Sequence, residues 1–131
     1  MLVEMKDKIC SPNIPAEDCS ASIQAMNDTL YSIGGKWKLQ ILIALSPKPR
    51  RFNELQRLLE NISARVLSNE LKEMELNSFI IRKVDAAATP VVVTYELAPY
   101  SHSLATVITS MIAWGIAHRE KVKAEAHERA V

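Results

Sequence analysis

Apolar positions recur at three- and four-residue steps over most of this chain and switch to alternation over one short stretch. The first helical pattern starts at Ser20 or Ser22, carries Ile23, Met26, Leu30 and Ile33 on one face, and stops at Gly34-Gly35. A second runs from about Lys36 to Leu45 with Trp37, Ile41, Leu42 and Leu45 inward, and Ser46-Pro47-Lys48-Pro49 ends it, because two prolines remove donors and fix φ. A third follows Arg50-Arg51-Phe52, with Asn53 and Gln56 at capping-box spacing and Leu55, Leu58 and Leu59 facing in. After a turn at Glu60-Asn61, Ser63 caps a fourth, whose stripe is Val66, Leu67, Leu71 and Met74; Ile62 and Leu67 have hydrophobic-staple spacing. Beyond Asn77-Ser78 the period falls to two. Phe79–Val84 and Pro90–Leu97, rich in Ile and Val, read as two strands joined by the small-residue loop Asp85 to Thr89. From about Tyr100 one long helical pattern continues almost to the end.

The third and fourth helices with their short turn make a helix-turn-helix, and a hairpin directly after it has the place of a wing. The predicted fold is therefore mainly α with a small β-hairpin, a winged helix-turn-helix closed by a long C-terminal helix. Residues 1–18, interrupted by Pro12 and Pro15, form an arm; 19–118 form the winged domain with its dimerisation helices; 119–131 are a charged helix end or tail. Taken alone, the stretch from Asn61 to Leu76 is also what an ordinary amphipathic surface helix looks like. What surrounds it decides otherwise, the helix-turn-helix and the wing: its outer face, Ala64, Arg65, Ser68, Asn69 and Lys72, is small or polar, and such a face can lie in a DNA major groove while the other side packs.

Net charge is only +1, which by itself points to no nucleic acid. Its distribution does. Residues 1–35 hold two Lys and five Asp or Glu; residues 36–83 hold ten Lys or Arg against five Glu, net +5. The basic excess sits on the helix-turn-helix, where it can attract phosphate. Base reading is assigned to Ala64, Arg65, Ser68 and Asn69, since Arg suits guanine and Asn suits adenine by bidentate geometry. Lys72 goes to phosphate, as do Lys36 and Lys38 near a helix start, Arg50 and Arg51 before the third helix, and Arg82 and Lys83 at the wing.

The last helix carries Leu104, Ile108, Met111, Trp114 and Gly115 at helical steps, an apolar stripe that needs a partner. A second copy is the economical one, with Ile23 and Met26 of the first helix joining the interface, because readers of palindromic sites are two-fold dimers. A chain of 131 residues with no apolar run of membrane-spanning length and no signal-peptide core is expected to be cytoplasmic, with no membrane partner. Three scattered histidines give no metal site, and no nucleophile–base spacing or glycine-rich phosphate loop points to an enzyme or a cofactor.

In combination these motifs resemble the HxlR-type winged-helix regulators, relatives of the MarR type, over roughly Cys19 to His118. Gly34-Gly35-Lys36-Trp37 matches the family's Gly-Lys-Trp, and Arg51-Phe52-Asn53-Glu54-Leu55 its Arg-Phe-x-Glu-Leu. Ile62-Ser63 with Leu67 and Leu71-Lys72-Glu73 matches its groove helix, Pro90 with Val93, Tyr95 and Leu97 its wing, and Trp114-Gly115 its last helix. The chain departs from the family at Ser78, where Gly is usual, at Leu97-Ala98-Pro99-Tyr100-Ser101, and at Val92 and Thr94. The resemblance implies a homodimeric DNA-binding transcriptional regulator. Many relatives carry a cysteine just before the first helix, where Cys19 stands, and some use it to sense oxidants or electrophiles. A thiol at a helix N-terminus tends toward thiolate, although Asp18 beside it opposes this, and Cys10 is a candidate resolving partner.

The expected function is a homodimeric regulator, a repressor, binding a palindromic double-stranded operator and responsive to oxidant through Cys19. Two other readings stand beside it. A winged helix can serve protein–protein assembly alone. A small-molecule effector could sit at the dimer interface, near Met26, Tyr100, Met111 and Trp114.

Overall fold

The structure is a computed structural model that describes residues 19–130. The chain divides into two compact units at Lys38/Leu39. In the first unit, α1 (Ser20–Ile33) has Cys19 at its N-cap position. Ile23, Met26 and Leu30 are exposed, and Ile33 is buried. The helix stops because the Gly34 N–H closes on the Leu30 carbonyl at 2.8 Å. A Cβ at position 34 would collide with that carbonyl oxygen, and Gly35 follows at φ +88°, a left-handed conformation that glycine adopts without cost. Trp37 is half-buried rather than fully inward, and the Lys36 ammonium lies 4.8 Å from its ring centroid.

Helix α2 (Lys38–Leu45) begins two residues later than its apolar pattern suggested. Ile41, Leu42 and Leu45 are buried as expected. Helix α3 (Phe52–Leu58), by contrast, begins earlier than a cap at Asn53 would allow: its N-cap is Arg51, whose backbone N–H donates to the Glu54 carboxylate at 3.4 Å. Non-local pairing sets that start. The Arg50 N–H donates to the Tyr95 carbonyl at 2.9 Å and the Tyr95 N–H returns to Arg50 at 2.8 Å, a one-rung bridge that pins the chain just before the helix. Leu55 and Leu59 are buried, whereas Leu58, expected inward, is 51% exposed. Leu59, just past the helix end, takes the inward place instead.

In the turn, Asn61 has φ +71°, which Asn tolerates better than most residues. Helix α4 (Ala64–Leu76) starts where the cap predicted: the Ser63 hydroxyl accepts the Val66 N–H at 3.1 Å. Leu67, Leu71 and Met74 are buried; Val66, at the edge of the stripe, is 38% exposed. The helix closes in a Schellman motif. Ser78 at φ +66° turns the chain, its N–H reaches the Glu75 carbonyl at 3.1 Å, and the Phe79 N–H reaches the Met74 carbonyl at 2.9 Å.

Strands β1 (Ile80–Asp85) and β2 (Val92–Leu97) form an antiparallel hairpin in which Ile80 faces Leu97 and Asp85 faces Val92. The segment after β2 is not yet α-helix. Pro99–Leu104 is a 3-10 helix, and α5 (Ala105–Ala130) follows it. The 3-10 turn is held from far away in sequence. The buried Ser101 hydroxyl donates to the Phe79 carbonyl at 2.5 Å, and the Ala98 N–H donates to the same carbonyl at 3.0 Å. The core of the second unit gathers Ile41, Leu42, Leu45, Leu55, Leu59, Ile62, Leu67, Leu71, Met74, Phe79 and Ile80. Each contributes about 1.5–3 kcal/mol of burial. Helix α5 buries none of its own residues.

Candidate nucleic-acid interface

The outer face of α4 is built by the same period that builds its inner one. Arg65, Asn69 and Lys72 fall on the side away from Leu67, Leu71 and Met74, because residues three and four apart share a face, while Ala64 and Ser68, expected on that side too, lie along its edge, each three residues from a buried leucine. Ala64, Arg65, Asn69 and Lys72 are exposed and Ser68 is half-buried. The face therefore offers a guanidinium, an amide and an ammonium within about two turns. Its N-terminal end is narrow, with Ala64 as the first helical residue and the Ser63 hydroxyl turned inward to its cap. Glu70 and Glu73 flank it.

The expected phosphate anchors differ among themselves. Arg51 is exposed at the start of α3. Arg50 is half-buried, and its Nε donates to the Ala44 carbonyl at 2.6 Å near the C-terminus of α2. With its backbone bridged to Tyr95, this residue ties α2 to the wing, a role the sequence did not signal. Lys36 is exposed over Trp37, and Lys38 is half-buried at the first position of α2. On the hairpin, Arg82 and Lys83 point to opposite faces because successive strand residues alternate. Arg82 pairs with Tyr95 and Lys83 with Thr94 in register. The Lys83 ammonium is 2.8 Å from the Glu96 carboxylate one diagonal away.

The residues expected to meet a partner are open to solvent in large part. Ile23, Met26, Met111 and Trp114 are exposed, and Leu104 and Ile108 are half-buried. Trp114 stacks on His118 with centroids 4.8 Å apart, and a Cβ at Gly115 would touch nothing within 4 Å. A cleft of about 380 Å³ lies between the long helix and the winged domain, without Met26, Tyr100, Met111 or Trp114 in its lining. Leu42, Ile43, Ser46, Leu97, Ser101, His102, Ala105, Ile108, Thr109 and Ile112 line it. Met111 lines a smaller hollow beside it that shares Ile43, Ile108 and Ile112. Cys19 is exposed at the first turn of α1; Cys10 lies outside the described residues. Among the described residues no group of three or more His, Cys, Asp or Glu could hold a metal ion, and no helix is long and apolar enough to cross a membrane.

A helix-turn-helix with an exposed polar groove helix, a two-stranded wing and a long closing helix defines a winged helix-turn-helix transcriptional regulator of the MarR-like class. The model of the HxlR-like helix-turn-helix family matches residues 32–123, and the chain belongs to that family. It is 38% identical over 94 residues to YtcD of Bacillus subtilis, named an uncharacterized HTH-type transcriptional regulator, covering 72% of this chain and 74% of YtcD. The crystal structure of YtcD superposes with a TM-score of 0.69 at 39% identity, over 72% of this chain and 96% of that one. The redox regulator HypR in its reduced form gives a TM-score of 0.71 at 30% identity, over 76% and 98%. The reduced form of the transcriptional regulator YodB from B. subtilis gives 0.62 at 33%, over 69% and 87%.

Proposed function

We propose that this chain is a homodimeric, sequence-specific DNA-binding regulator, a repressor, that reads a palindromic operator with one α4 per half-site. The observation that carries the reading is the division of α4: Leu67, Leu71 and Met74 are buried while Arg65, Asn69 and Lys72 stand exposed on the other side. Arg65 and Asn69 meet base edges, and Arg51, Lys72 and Arg82 neutralise phosphate. The assembly-module alternative is less favoured, because an assembly surface is anchored by aromatic or aliphatic side chains and this face has none. Dimerisation is supported by α5, a 26-residue helix with no buried residue that leaves Met111, Ile112, Trp114 and Ile116 in water. A second copy with the same stripe covers all four.

Oxidant sensing is the regulatory reading a specific observation favours. Cys19 is exposed at the N-cap of α1, and a redox regulator, HypR, is among the structural neighbours. Oxidation or alkylation there reorients α1 in the dimer, changes the spacing of the two groove helices and shifts operator affinity. The test is operator selection with the purified protein, then titration at several salt concentrations with and without diamide. A palindromic site with half-sites about one DNA turn apart, and a steep salt dependence, is the expected outcome. Cys19→Ser keeps basal binding and loses the oxidant response; an unchanged response removes Cys19 as the sensor. No enriched site removes the DNA reading in favour of assembly.

A further inference from the structure

The hairpin is poor in positive charge for a DNA-contacting wing. From Val84 to Tyr95 there is no Lys or Arg, and the strands end in Asp85 and the small, neutral turn Ala86-Ala87-Ala88. The register sorts what charge remains. One face carries Ile80, Arg82 and Val84 opposite Leu97, Tyr95 and Val93; the other carries Lys83, Glu96 and Asp85. The second face holds one cation against two carboxylates, and that cation is 2.8 Å from one of them. The Lys83 side chain is 62% exposed and the Glu96 side chain 26% exposed, so the carboxylate is the more firmly placed partner and the ammonium the movable one.

We infer that Glu96 is an affinity-setting residue of the wing: it holds Lys83 on the hairpin and keeps that ammonium from neutralising a DNA phosphate. This rests on the DNA-binding reading above. A lysine already neutralised by a carboxylate releases no counterion when DNA arrives, so it adds nothing to the salt-dependent part of binding. Arg82, on the other face and opposite Tyr95, is left as the wing's phosphate contact. The physical function of such a clamp is to hold non-specific affinity down. Phosphate contact favours all sequences equally, whereas the α4 face discriminates among them.

The test uses the full-length protein and Glu96→Gln, which keeps the shape of the side chain and removes its charge. Binding is titrated against the selected operator and against an unrelated duplex over a range of salt. Glu96→Gln is expected to tighten both by about fivefold per half-site near 0.15 M salt, and to steepen the slope of log K against log salt by about 0.9 per half-site. The gain on the unrelated duplex matches that on the operator. In a Lys83→Ala background Glu96→Gln gains little, because the cation to be released is gone. Equal affinity for Glu96→Gln and the parent overturns the inference. So does a gain that survives Lys83→Ala in full, since that is simple relief of repulsion between Glu96 and the DNA. Thermal unfolding of each variant checks that the hairpin is intact. Failure of the parent protein to bind any duplex is a different result and removes the DNA-binding reading itself.

Discussion

Ser78 is the residue at which a single substitution should improve this protein. It occupies the left-handed position of the Schellman motif that ends α4, at φ +66°, with its own N–H on Glu75 and the next N–H on Met74. A residue with a Cβ costs about 1–2 kcal/mol in this conformation, because Cβ approaches the following carbonyl oxygen. Glycine carries no such cost, but its freer unfolded chain gives back about 0.5–1 kcal/mol. The balance for Ser78→Gly is a gain of about 0.5–1 kcal/mol, or a rise of about 2–5 °C in Tm for a chain of this size. Circular dichroism melts and urea titrations, both at one fixed protein concentration, measure it. Ser78→Val is the control in the other direction: a β-branched side chain is more crowded at positive φ and should lose stability. A Ser78→Gly variant that melts at or below the parent temperature would refute the argument, and would mean that the Ser78 hydroxyl contributes more than the backbone strain costs. DNA affinity is expected to stay unchanged, because the substitution lies beyond the far end of the groove face.

Removing the cap at the other end of the same helix works against stability. Ser63→Ala leaves the Val66 N–H without its acceptor and should cost about 1 kcal/mol in urea unfolding, with a smaller loss for Ser63→Asn. On the outer face the two cations separate by type of contact. Arg65→Ala should weaken the selected operator by about 1–3 kcal/mol and relax preference at one base pair, as competition with mutated operators would read. Lys72→Ala should weaken all duplexes alike and lower the salt slope by about 0.9 per half-site.

What the sequence made legible was what is decided locally. Ser63, Ile62, Leu67, Leu71 and Met74 announce α4 because cap, staple and stripe all lie within one helix, and the structure keeps all of them. The hairpin was equally readable, since β-branched enrichment and a switch of period need no distant partner. The misreadings have distant causes. Asn53 is the better cap by residue preference, yet Arg51 takes the position because Arg50 is bridged to Tyr95, 45 positions further along the chain. Pro99–Leu104 looked like the start of the last helix, but Ser101 is tied to Phe79 and the segment winds as a 3-10 turn. Of the groove-face residues, the pattern placed Arg65, Asn69 and Lys72 on an exposed side, and the structure agrees. Nothing local could show that the Arg50 Nε is spent on Ala44, or that Lys83 has Glu96 beside it.

Phe79 has a consequence for how such a molecule can be switched. Its N–H closes the groove helix on Met74, and its carbonyl receives both Ala98 and Ser101, so one residue joins helix, hairpin and 3-10 turn. A joint tied on three sides is a weld rather than a hinge. A change of angle between the groove helix and the wing would have to break hydrogen bonds at this residue. On the DNA-binding reading proposed above, release of an operator would carry groove helix and wing away from a half-site together. In the dimer proposed above, control would then lie in the distance between two heads, a quantity that a single protomer does not possess.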